Sequence, residues 1–439
     1  MALTADQVLE LAPDPAARLA AAKHAVPTAW RGLARDERAV WGEIRGSALY
    51  QVRADLTDLA SKCSCPSRKI PCKHSLGLLL VAAHHLEKIP VSDKPPPEWV
   101  MEWMERRTAR KNAPAAEPDL EARAKRVAER ERKVDLGVEG LMRWLEDLAR
   151  TGLASFVAQG AEPFDAQAAR LVDAQATGLA SRVRRVGARI GTSADWPERT
   201  AADLGRLTLL ATAWQRRAVL PPALLADVAQ LVGFPTTEES VRTSDRKARD
   251  RWAVVGRALD EDERLHSERT FLVGQSSGRT AMVLQFAPIG ASFSERFVEG
   301  TCFDGELAFY PGAVNRRALV MSRDGPVAPL DAPWAAHPDI ATFLEAHAEL
   351  MAKAPWLDRS MIALADVIPI RKDGAMWLAD KNGAAVPLLV RDPWRLLALS
   401  GGHPITIAGE WDGERAWMIA AWSEGAHASF VGGPVEEET

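Results

Sequence analysis

The residues with the clearest chemistry are Cys63, Cys65, Cys72 and His74, which fall within one short segment of the chain. They form a C-x-C pair and a C-x-H pair, separated by six residues. Thiolate sulfur and imidazole nitrogen are preferred zinc ligands, and four of them complete a tetrahedral shell without a position for water or substrate. The spacing therefore predicts one structural zinc ion bound by these four side chains.

The cysteine content of the chain agrees with a metal site. The fourth cysteine, Cys302, lies far downstream of the cluster, so the pattern does not suggest a disulfide framework, and it is typical of a reducing compartment. Two other interpretations stay open, a disulfide pair within the cluster and thiols that lie near a histidine by chance. Basic residues around the cluster favour thiolates and a metal over protons; they are Lys62, Arg68, Lys69 and Lys73.

The elements around the cluster are predicted from periodicity. Apolar residues alternate with polar ones from Tyr50 to Leu56, which indicates a half-buried strand, and a second strand could run back toward Cys63. The apolar stretch from Ser75 to Ala83 predicts a helix after the ligands. Two short helices are expected before the strands, the first opened by a capping box at Thr4 and Gln7. The predicted unit is ββα.

This segment resembles the SWIM zinc finger, whose pattern is C-x-C, a variable gap and C-x-H, with two strands before and a helix after. The match runs from about Tyr50 to Ala83. The resemblance implies that Cys63, Cys65, Cys72 and His74 are the zinc ligands. It also implies a binding module for which DNA or protein contact is proposed. The chain has no G-x-x-x-x-G-K-[ST] motif, so it is not the helicase version of the family.

The middle of the chain, especially residues 169–180, is similar to stand-alone bacterial SWIM proteins. Such relatives are often encoded beside a MoxR-type AAA ATPase and a von Willebrand A protein. The resemblance therefore offers these two proteins as partners, with DNA as a further one.

The length of 439 residues exceeds what one hydrophobic core usually supports. We expect an α+β, multidomain chain, with an α-helical middle domain and a mainly antiparallel β C-terminal domain after the finger. Three consecutive prolines at 95–97 mark the first boundary. The C-terminal region carries five turn dipeptides that predict hairpins: Asp304-Gly305, Asp324-Gly325, Asp373-Gly374, Asn382-Gly383 and Asp412-Gly413. The expected domains are 1–94 with the finger core at about 41–88, a Pro/charged linker at 95–118, a helical domain at 119–235 and a β domain at 251–439.

Composition and charge argue against membrane association. Charged residues make up 26% of the chain and the formal net charge is −4, so no global field attracts it to nucleic acid or lipid. The N-terminal residues show no basic and apolar signal pattern, and no apolar run approaches the length that crosses a bilayer. We expect a cytoplasmic protein.

No residue is assigned a catalytic or cofactor-binding role. Cys302 and the histidines outside the cluster lack triad or metal spacing. The basic residues near the cluster, with Arg53, could contact phosphates or could compensate thiolate charge, and the basic run at 106–133 is interleaved with glutamates as on a solvated helix. Several tryptophans of the C-terminal domain could line a groove or pack in the core. The leading hypothesis is a zinc-stabilised adaptor that binds a protein or nucleic acid. The alternative, which the sequence favours less, is an enzyme whose active site lies in the Trp-rich β domain.

Overall fold

The structure, a computed structural model, describes residues 4–67, 69–112, 120–153, 159–261, 265–288, 293–314 and 316–430. Arg68, one of the basic residues considered above, lies outside this part of the chain, as does part of the expected linker. In the described helices, no stretch is both long and apolar enough to cross a membrane.

The N-terminal unit is a four-stranded antiparallel sheet in the order β1-β2-β3-β4, with helices on both faces. The predicted capping box at Thr4 and Gln7 is confirmed. The predicted ββα unit is confirmed as β3, β4 and α3, and two further strands precede it in the same sheet. β1 contains a bulge between Arg31 and Ala34, and its burial does not alternate, which hides it from a periodicity search. The elements are α1 (Ala5–Leu9), α2 (Pro15–Ala22), β1 (Trp30–Arg35), β2 (Ala39–Arg45), β3 (Leu49–Asp55), β4 (Ser61–Cys63), α3 (Lys73–His85) and α4 (Glu98–Asn112).

Each face of this sheet has its own apolar cluster. Val40, Ile44 and Val52 share a core with the apolar residues of α3, from Leu76 to Ala82. On the opposite face, Trp41 packs against α4. This two-sided burial follows from the alternation of side chains along β2.

Helix α4 occupies most of the segment that was expected to be a linker. Val100 is fully buried, and it packs with Trp99 and Met104 against Ala39 and Trp41 of β2. The three prolines at 95–97 and the Ala/Pro/Glu-rich residues up to Pro118 suggested a linker, but the apolar residues between them form a helix that covers a face of the sheet. The second half of the expected linker, residues 113–119, lies outside the described residues.

The middle of the chain is helical, as predicted. Within it, two helices are separated by a break at Gln175, which has a positive φ of 62°. Gly178 permits close packing after this break, because a Cβ there would lie 2.1 Å from the carbonyl oxygen of Leu231. The helices are α5 (Leu120–Thr151), α6 (Glu162–Asp173), α7 (Thr177–Gly187), α8 (Trp196–Gln215), α9 (Pro222–Val232) and α10 (Glu238–Arg242).

The C-terminal region contains two mainly antiparallel sheets that pack face to face, with one parallel pairing between β12 and β14. One has the order β7-β6-β5-β8-β9 and the other β12-β11-β10-β13-β14-β15. Ala253, Val255 and Phe271 of the first sheet share an apolar cluster with Ala408 and Ile419 of the second. The elements are β5 (Lys247–Glu261), β6 (Leu265–Gly274), β7 (Thr280–Pro288), β8 (Thr301–Phe309), β9 (Ala318–Pro329), α11 (Ile340–Lys353), β10 (Ser360–Lys372), β11 (Ala375–Ala379), β12 (Ala385–Leu389), α12 (Pro393–Ser400), β13 (Ile405–Trp411), β14 (Ala416–Ser423) and β15 (Ala426–Ser429).

Three of the five predicted hairpins are confirmed, at Asp373-Gly374, Asn382-Gly383 and Asp412-Gly413. The other two predictions are wrong. Asp304-Gly305 lies inside β8 and Asp324-Gly325 inside β9, where Asp304 faces Asp324 across the ladder. A Cβ on Gly305 would lie 2.2 Å from the carbonyl oxygen of Ser322, so this glycine permits a close approach of two strands and does not form a turn.

Candidate metal centre

The first pair of predicted ligands is held by the sheet. Cys63 is the last residue of β4 and lies opposite Val52 of β3. The next residue, Ser64, donates its backbone N–H to the carbonyl oxygen of Gln51 at 3.0 Å and accepts from the Gln51 N–H through its hydroxyl at 2.9 Å. The C-x-C turn is therefore fixed to the neighbouring strand.

The second pair is held by the start of α3. Cys72 is the N-cap of this helix, and its sulfur accepts a hydrogen bond from the backbone N–H of Ser75 at 3.5 Å. His74 follows in the first turn. Cys72 is 5% exposed and His74 is 4% exposed, so a metal held here is shielded from solvent on the helix side.

The four ligand atoms come together at one point. The three sulfurs and one imidazole nitrogen lie within 4.8 Å of one another. Cys63 Sγ is 3.8 Å from His74 Nδ1, close to the separation of about 3.6 Å that tetrahedral zinc imposes on a sulfur and a nitrogen ligand. Nδ1 is thus the imidazole nitrogen that faces the thiols.

The surroundings of His74 orient its ring. The imidazole lies between His24 and Tyr50, with ring centroids 5.0 and 5.3 Å away. Its other nitrogen, Nε2, is buried and has no hydrogen-bond partner in the described residues. A ring fixed by packing presents Nδ1 to the thiols without the carboxylate or carbonyl that usually orients a metal-bound histidine.

The three thiols affect one another's ionisation. A hydrogen bond from the Cys63 thiol is the main reason that the pKa of Cys72 falls to about 3. The same contact, followed by burial, raises the pKa of Cys63, and burial raises the pKa of Cys65. This hydrogen bond therefore favours a thiolate at Cys72 and a protonated thiol at Cys63. A divalent cation favours the thiolate form of its sulfur ligands, and the donor set of three sulfurs and one nitrogen fits zinc.

The basic residues near the cluster are less important than the sequence suggested. No lysine is among the main causes of the cysteine pKa shifts. Lys69 forms an ion pair with Asp14 at 2.6 Å. Arg53 does not face solvent, since it is 8% exposed and its guanidinium lies over the rings of Trp99 and Trp103. Lys62 and Lys73 are exposed.

Two family models match the chain. Residues 50–83 match the SWIM zinc finger, and residues 129–232 match the SWIM-associated four-helix bundle domain. No curated protein and no solved structure matches it. The resemblance seen at the cysteine cluster is therefore confirmed, and it extends to the helical middle of the chain. Within this finger, Cys63, Cys65, Cys72 and His74 are positioned to bind one metal ion, consistent with structural zinc.

The other sequence features are mostly structural. Cys302 is buried, with its sulfur 3.1 Å from Arg251 Nε. Trp411 and Trp422 are buried in the cores of the β sheets, while Trp394 is 66% exposed. In the basic run, Arg106 and Arg132 form exposed ion pairs with glutamates one turn away, as expected of a solvated helix.

Two concave features were not apparent from the sequence. A groove of about 430 Å³ lies beside the metal centre, between α2, the β2–β3 turn and the segments 65–67 and 69–74. A larger cleft of about 790 Å³ lies between the helical middle and the C-terminal sheets, and many arginines and carboxylates line it. Both combine residues that are far apart in sequence, so no local pattern could have predicted them.

Proposed function

We propose that the protein is a zinc-stabilised adaptor that binds a protein partner through the groove beside the metal centre. The observation that carries this proposal is the closed set of three sulfurs and one nitrogen. Such a set leaves zinc no position for a substrate, so the metal serves to hold the surrounding surface in shape. SWIM fingers are in general interaction or nucleic-acid-binding modules, which fits that role.

The groove has the chemistry of a peptide-binding surface. Its floor is made by small side chains of α2, Ala16, Ala17 and Ala20, and Lys69 and Lys73 lie at the side formed by the finger. Small residues on a helix allow the backbone of a partner to approach closely. Lys73 is exposed, and it favours a partner segment that carries an acidic residue beside its apolar contact.

A protein partner is favoured over nucleic acid. Nucleic-acid binding draws most of its affinity from clustered cations that release counterions from phosphates. Of the basic residues considered for such a patch, Arg53 is buried and Lys69 is paired. Among the residues of this set that the structure describes, Lys62 and Lys73 remain exposed, and two lysines offer few phosphate contacts. The MoxR-type AAA ATPase and the von Willebrand A protein suggested by the resemblance are the partners to test first.

The enzyme alternative draws on the large cleft. Its lining brings many ionisable groups together, but the central ones are in ion pairs, such as Arg269 with Glu410 and Arg182 with Asp358. No histidine, cysteine or serine is among the described residues that line it. Carboxylates can also act as nucleophiles or general bases, but the ones named here are held in ion pairs, and the described lining supplies no thiol, hydroxyl or imidazole beside them. We therefore place the adaptor first.

The test compares two arginine substitutions on the same helix. Ala20→Arg fills the groove, whereas Ala22→Arg adds the same charge at an exposed position outside the groove lining. Binding of the purified zinc-loaded chain to each of the two candidate partners is measured by calorimetry. The proposal expects binding that Ala20→Arg weakens at least tenfold and Ala22→Arg leaves unchanged.

A labelled DNA duplex is assayed in parallel over a range of salt concentrations. Tight, salt-sensitive DNA binding that survives Ala20→Arg would contradict the protein-adaptor proposal. Equal loss of partner binding in both variants would contradict the assignment of the groove.

A further inference from the structure

Arginines are held in pairs along the large cleft between the helical middle and the C-terminal sheets. Three carboxylates of its lining each bind two guanidinium groups, and one carboxylate neutralises only one of the two. The three sets are Asp358 with Arg182 and Arg185, Glu410 with Arg269 and Arg359, and Asp203 with Arg189 and Arg206, at distances of 2.6 to 3.3 Å.

Two of these sets adjoin. Asp358 and Arg359 are consecutive residues, so the arginines that bind Asp358 lie close to those that bind Glu410. Arg316 lies there as well, since it donates to the backbone carbonyl of Arg359. The further carboxylates nearby are Asp260, which binds Arg269, and Asp412, which accepts from the indole N–H of Trp417. Guanidinium groups therefore outnumber carboxylates at this end of the cleft.

These arginines retain hydrogen-bond donors for a ligand. A guanidinium group carries five N–H donors, and the bonds to Asp358 use one nitrogen of Arg182 and one of Arg185. The side chain of Arg185 is 54% exposed and that of Arg359 is 33% exposed. A carboxylate that enters the cleft can accept from the remaining N–H groups without displacing these ion pairs.

The described part of the chain reaches this end of the cleft at its last residue. Phe430 lines the cleft, and its backbone N–H donates to the carbonyl oxygen of Ile419 at 2.8 Å. Two residues away along β14, the ring of Trp417 lies 4.3 Å from the Arg359 guanidinium and opposite Glu410 in the ladder. Residues two apart in a strand are separated by about 7 Å. Phe430 therefore lies beside the arginines.

Strand β15 cannot be extended along β14 beyond Phe430. One edge of β14 pairs with β13 along its length. On the other edge, β15 pairs with the last residues of β14, whereas Ala416 and Trp417 pair with Leu388 and Leu389 of β12. A continued ladder would collide with β12. The residues that follow Phe430 are therefore directed away from the sheet edge, where the cleft lies.

The sequence after Phe430 complements the charge of this end of the cleft. Residues 431–435 include two glycines and are followed by three consecutive acidic residues, Glu436, Glu437 and Glu438. All of them lie outside the described part of the chain. Six residues can span up to about 20 Å, which is enough to reach the arginines from Phe430. Carboxylates and guanidinium groups form strong, charge-assisted hydrogen bonds.

We propose that this end of the cleft binds the three glutamates of the chain's own C-terminal segment, Glu436, Glu437 and Glu438. Tethering favours this ligand over an acidic segment of another protein, because a short linker gives an effective concentration on the order of millimolar. The inference goes beyond the proposed function, since the site is separate from the groove at the metal centre.

The experiment titrates a fluorescent peptide into the zinc-loaded full chain. The peptide has the sequence of residues 431–439, and a control peptide has Gln in place of its three glutamates. The receptor is the parent chain or the triple variant Glu436→Gln/Glu437→Gln/Glu438→Gln, whose own segment has lost its charge. We expect the Glu peptide to bind the triple variant in a saturable and salt-sensitive manner. The Gln peptide should bind neither chain.

The parent chain should bind the Glu peptide at least tenfold more weakly than the triple variant does. In the parent chain the tethered segment competes with the peptide. An effective concentration on the order of 1 mM and a dissociation constant of about 0.1 mM give a factor of about ten.

Two double variants, made in the triple variant, test the arginines. Arg185→Gln/Arg359→Gln removes one guanidinium group from each of the adjoining sets and leaves each carboxylate with its other arginine. It should weaken binding of the Glu peptide about tenfold or more, the expected effect of losing hydrogen bonds to a charged acceptor. The matched control is Arg31→Gln/Arg45→Gln, which removes the same charge at exposed positions of the finger sheet and should leave binding unchanged.

A glutamate-specific protease reports on the segment within the chain itself. Cleavage after residues 436–438 is followed by mass spectrometry at low salt. It should be slower in the parent chain than in the same chain carrying Arg185→Gln/Arg359→Gln. The chain carrying Arg31→Gln/Arg45→Gln should be cleaved at the rate of the parent.

Four results would overturn the proposal. Failure of the Glu peptide to bind the triple variant would show that the cleft does not take an acidic segment. Equal binding to the parent chain and the triple variant would assign the cleft to a segment of another protein. Equal binding or equal cleavage after the two arginine double substitutions would place the segment elsewhere. Thermal melts confirm that each variant is folded before it is titrated.

The fourth result concerns the groove at the metal centre. Ala20→Arg, made in the triple variant, should bind the Glu peptide normally. Loss of binding in this variant would place the acidic segment in the groove. Normal binding here, whatever Ala20→Arg does to partner binding, separates failure of the adaptor proposal from failure of this one.

Discussion

The carbonyl oxygen of Leu56 accepts a hydrogen bond from the backbone N–H of Val327 at 3.3 Å. This bond joins the end of the finger sheet to strand β9 of the C-terminal region. Gln7 in α1 makes a second link, donating its side-chain amide to the carbonyl oxygen of Gly300 at 3.2 Å. Val298 lies in the apolar core of the finger. The finger therefore packs against the five-stranded sheet. We expect metal binding by the finger to affect the stability of the contacts between them.

Removal of zinc should loosen the finger together with its contacts on the sheet. Structural zinc contributes on the order of 10 kcal/mol in finger peptides. We expect a chelator to increase backbone hydrogen exchange across residues 40–88, at 298–300 and at Val327, while the core of the helical middle stays protected. The chain with added zinc is the control. Unchanged exchange in the finger after chelation would contradict a structural metal, and unchanged exchange at Val327 would contradict the coupling.

Loss of one ligand should lower the zinc content, and loss of a distant cysteine should not. Cys72→Ser removes the sulfur at the N-cap of α3, and a neutral hydroxyl is a poor replacement for a thiolate. Cys302→Ser is the matched control, since this residue is equally buried but lies in β8. Metal analysis of the purified variants should find zinc reduced in the first and unchanged in the second. Equal zinc in both would exclude Cys72 as a ligand.

Arg53 should contribute to stability and not to binding of phosphates. Its guanidinium lies 5.2 Å from the ring of Trp99 and 5.9 Å from that of Trp103, and it is almost completely buried. Desolvated cation–π pairs of this kind are worth about 2 kcal/mol. Arg53→Ala should therefore destabilise the finger by about 2 kcal/mol in urea unfolding. Arg45→Ala, at an exposed position on β2, should change stability by less than about 0.5 kcal/mol. A similar effect of both substitutions would show that the stacking contributes little.

The contact of Asp358 with helix α7 should make stability depend on pH. Burial opposes the ionisation of Asp358, but Arg182 at 2.7 Å and Arg185 at 2.9 Å outweigh it, and the pKa of this carboxyl lies below its usual value. A lowered folded-state pKa means that the stabilisation is present above about pH 4 and is lost as the pH falls through the folded value.

Asp358→Asn should therefore lower the free energy of unfolding by about 1 kcal/mol at pH 7, a modest value because the carboxylate is partly exposed. The difference from the parent chain should shrink as the pH is lowered from 7 toward 3. A double-mutant cycle with Arg182→Gln isolates the pair. A difference that grows on acidification would contradict the assignment.

The sequence predicted best those features whose residues lie close together in the chain. The ligands of the finger lie close together in the chain, so spacing alone was enough to group them. Hairpins with two-residue turns were also predictable, because Asp373 and Gly374 both need a positive φ, which few residues adopt easily. The helical middle followed from composition and periodicity.

The remaining features depend on partners distant in sequence. Gly305 resembled a turn residue but permits the close approach of Ser322 in the neighbouring strand. The sequence around Val100 did not predict its burial, because Val100 is covered by residues of β2 that are distant in the chain. The groove and the cleft each combine elements from separate parts of the chain, and only tertiary packing brings these elements together.

X-ray absorption at the zinc edge of the purified full chain tests the central claim most directly. We expect one zinc ion per chain, with three sulfur neighbours at about 2.3 Å and one nitrogen neighbour at about 2.0 Å. Because this shell is closed, it should be unchanged when a thiol or an organic acid is added. Absence of zinc, or a shell that contains an exchangeable oxygen ligand in place of one of these four, would contradict the account.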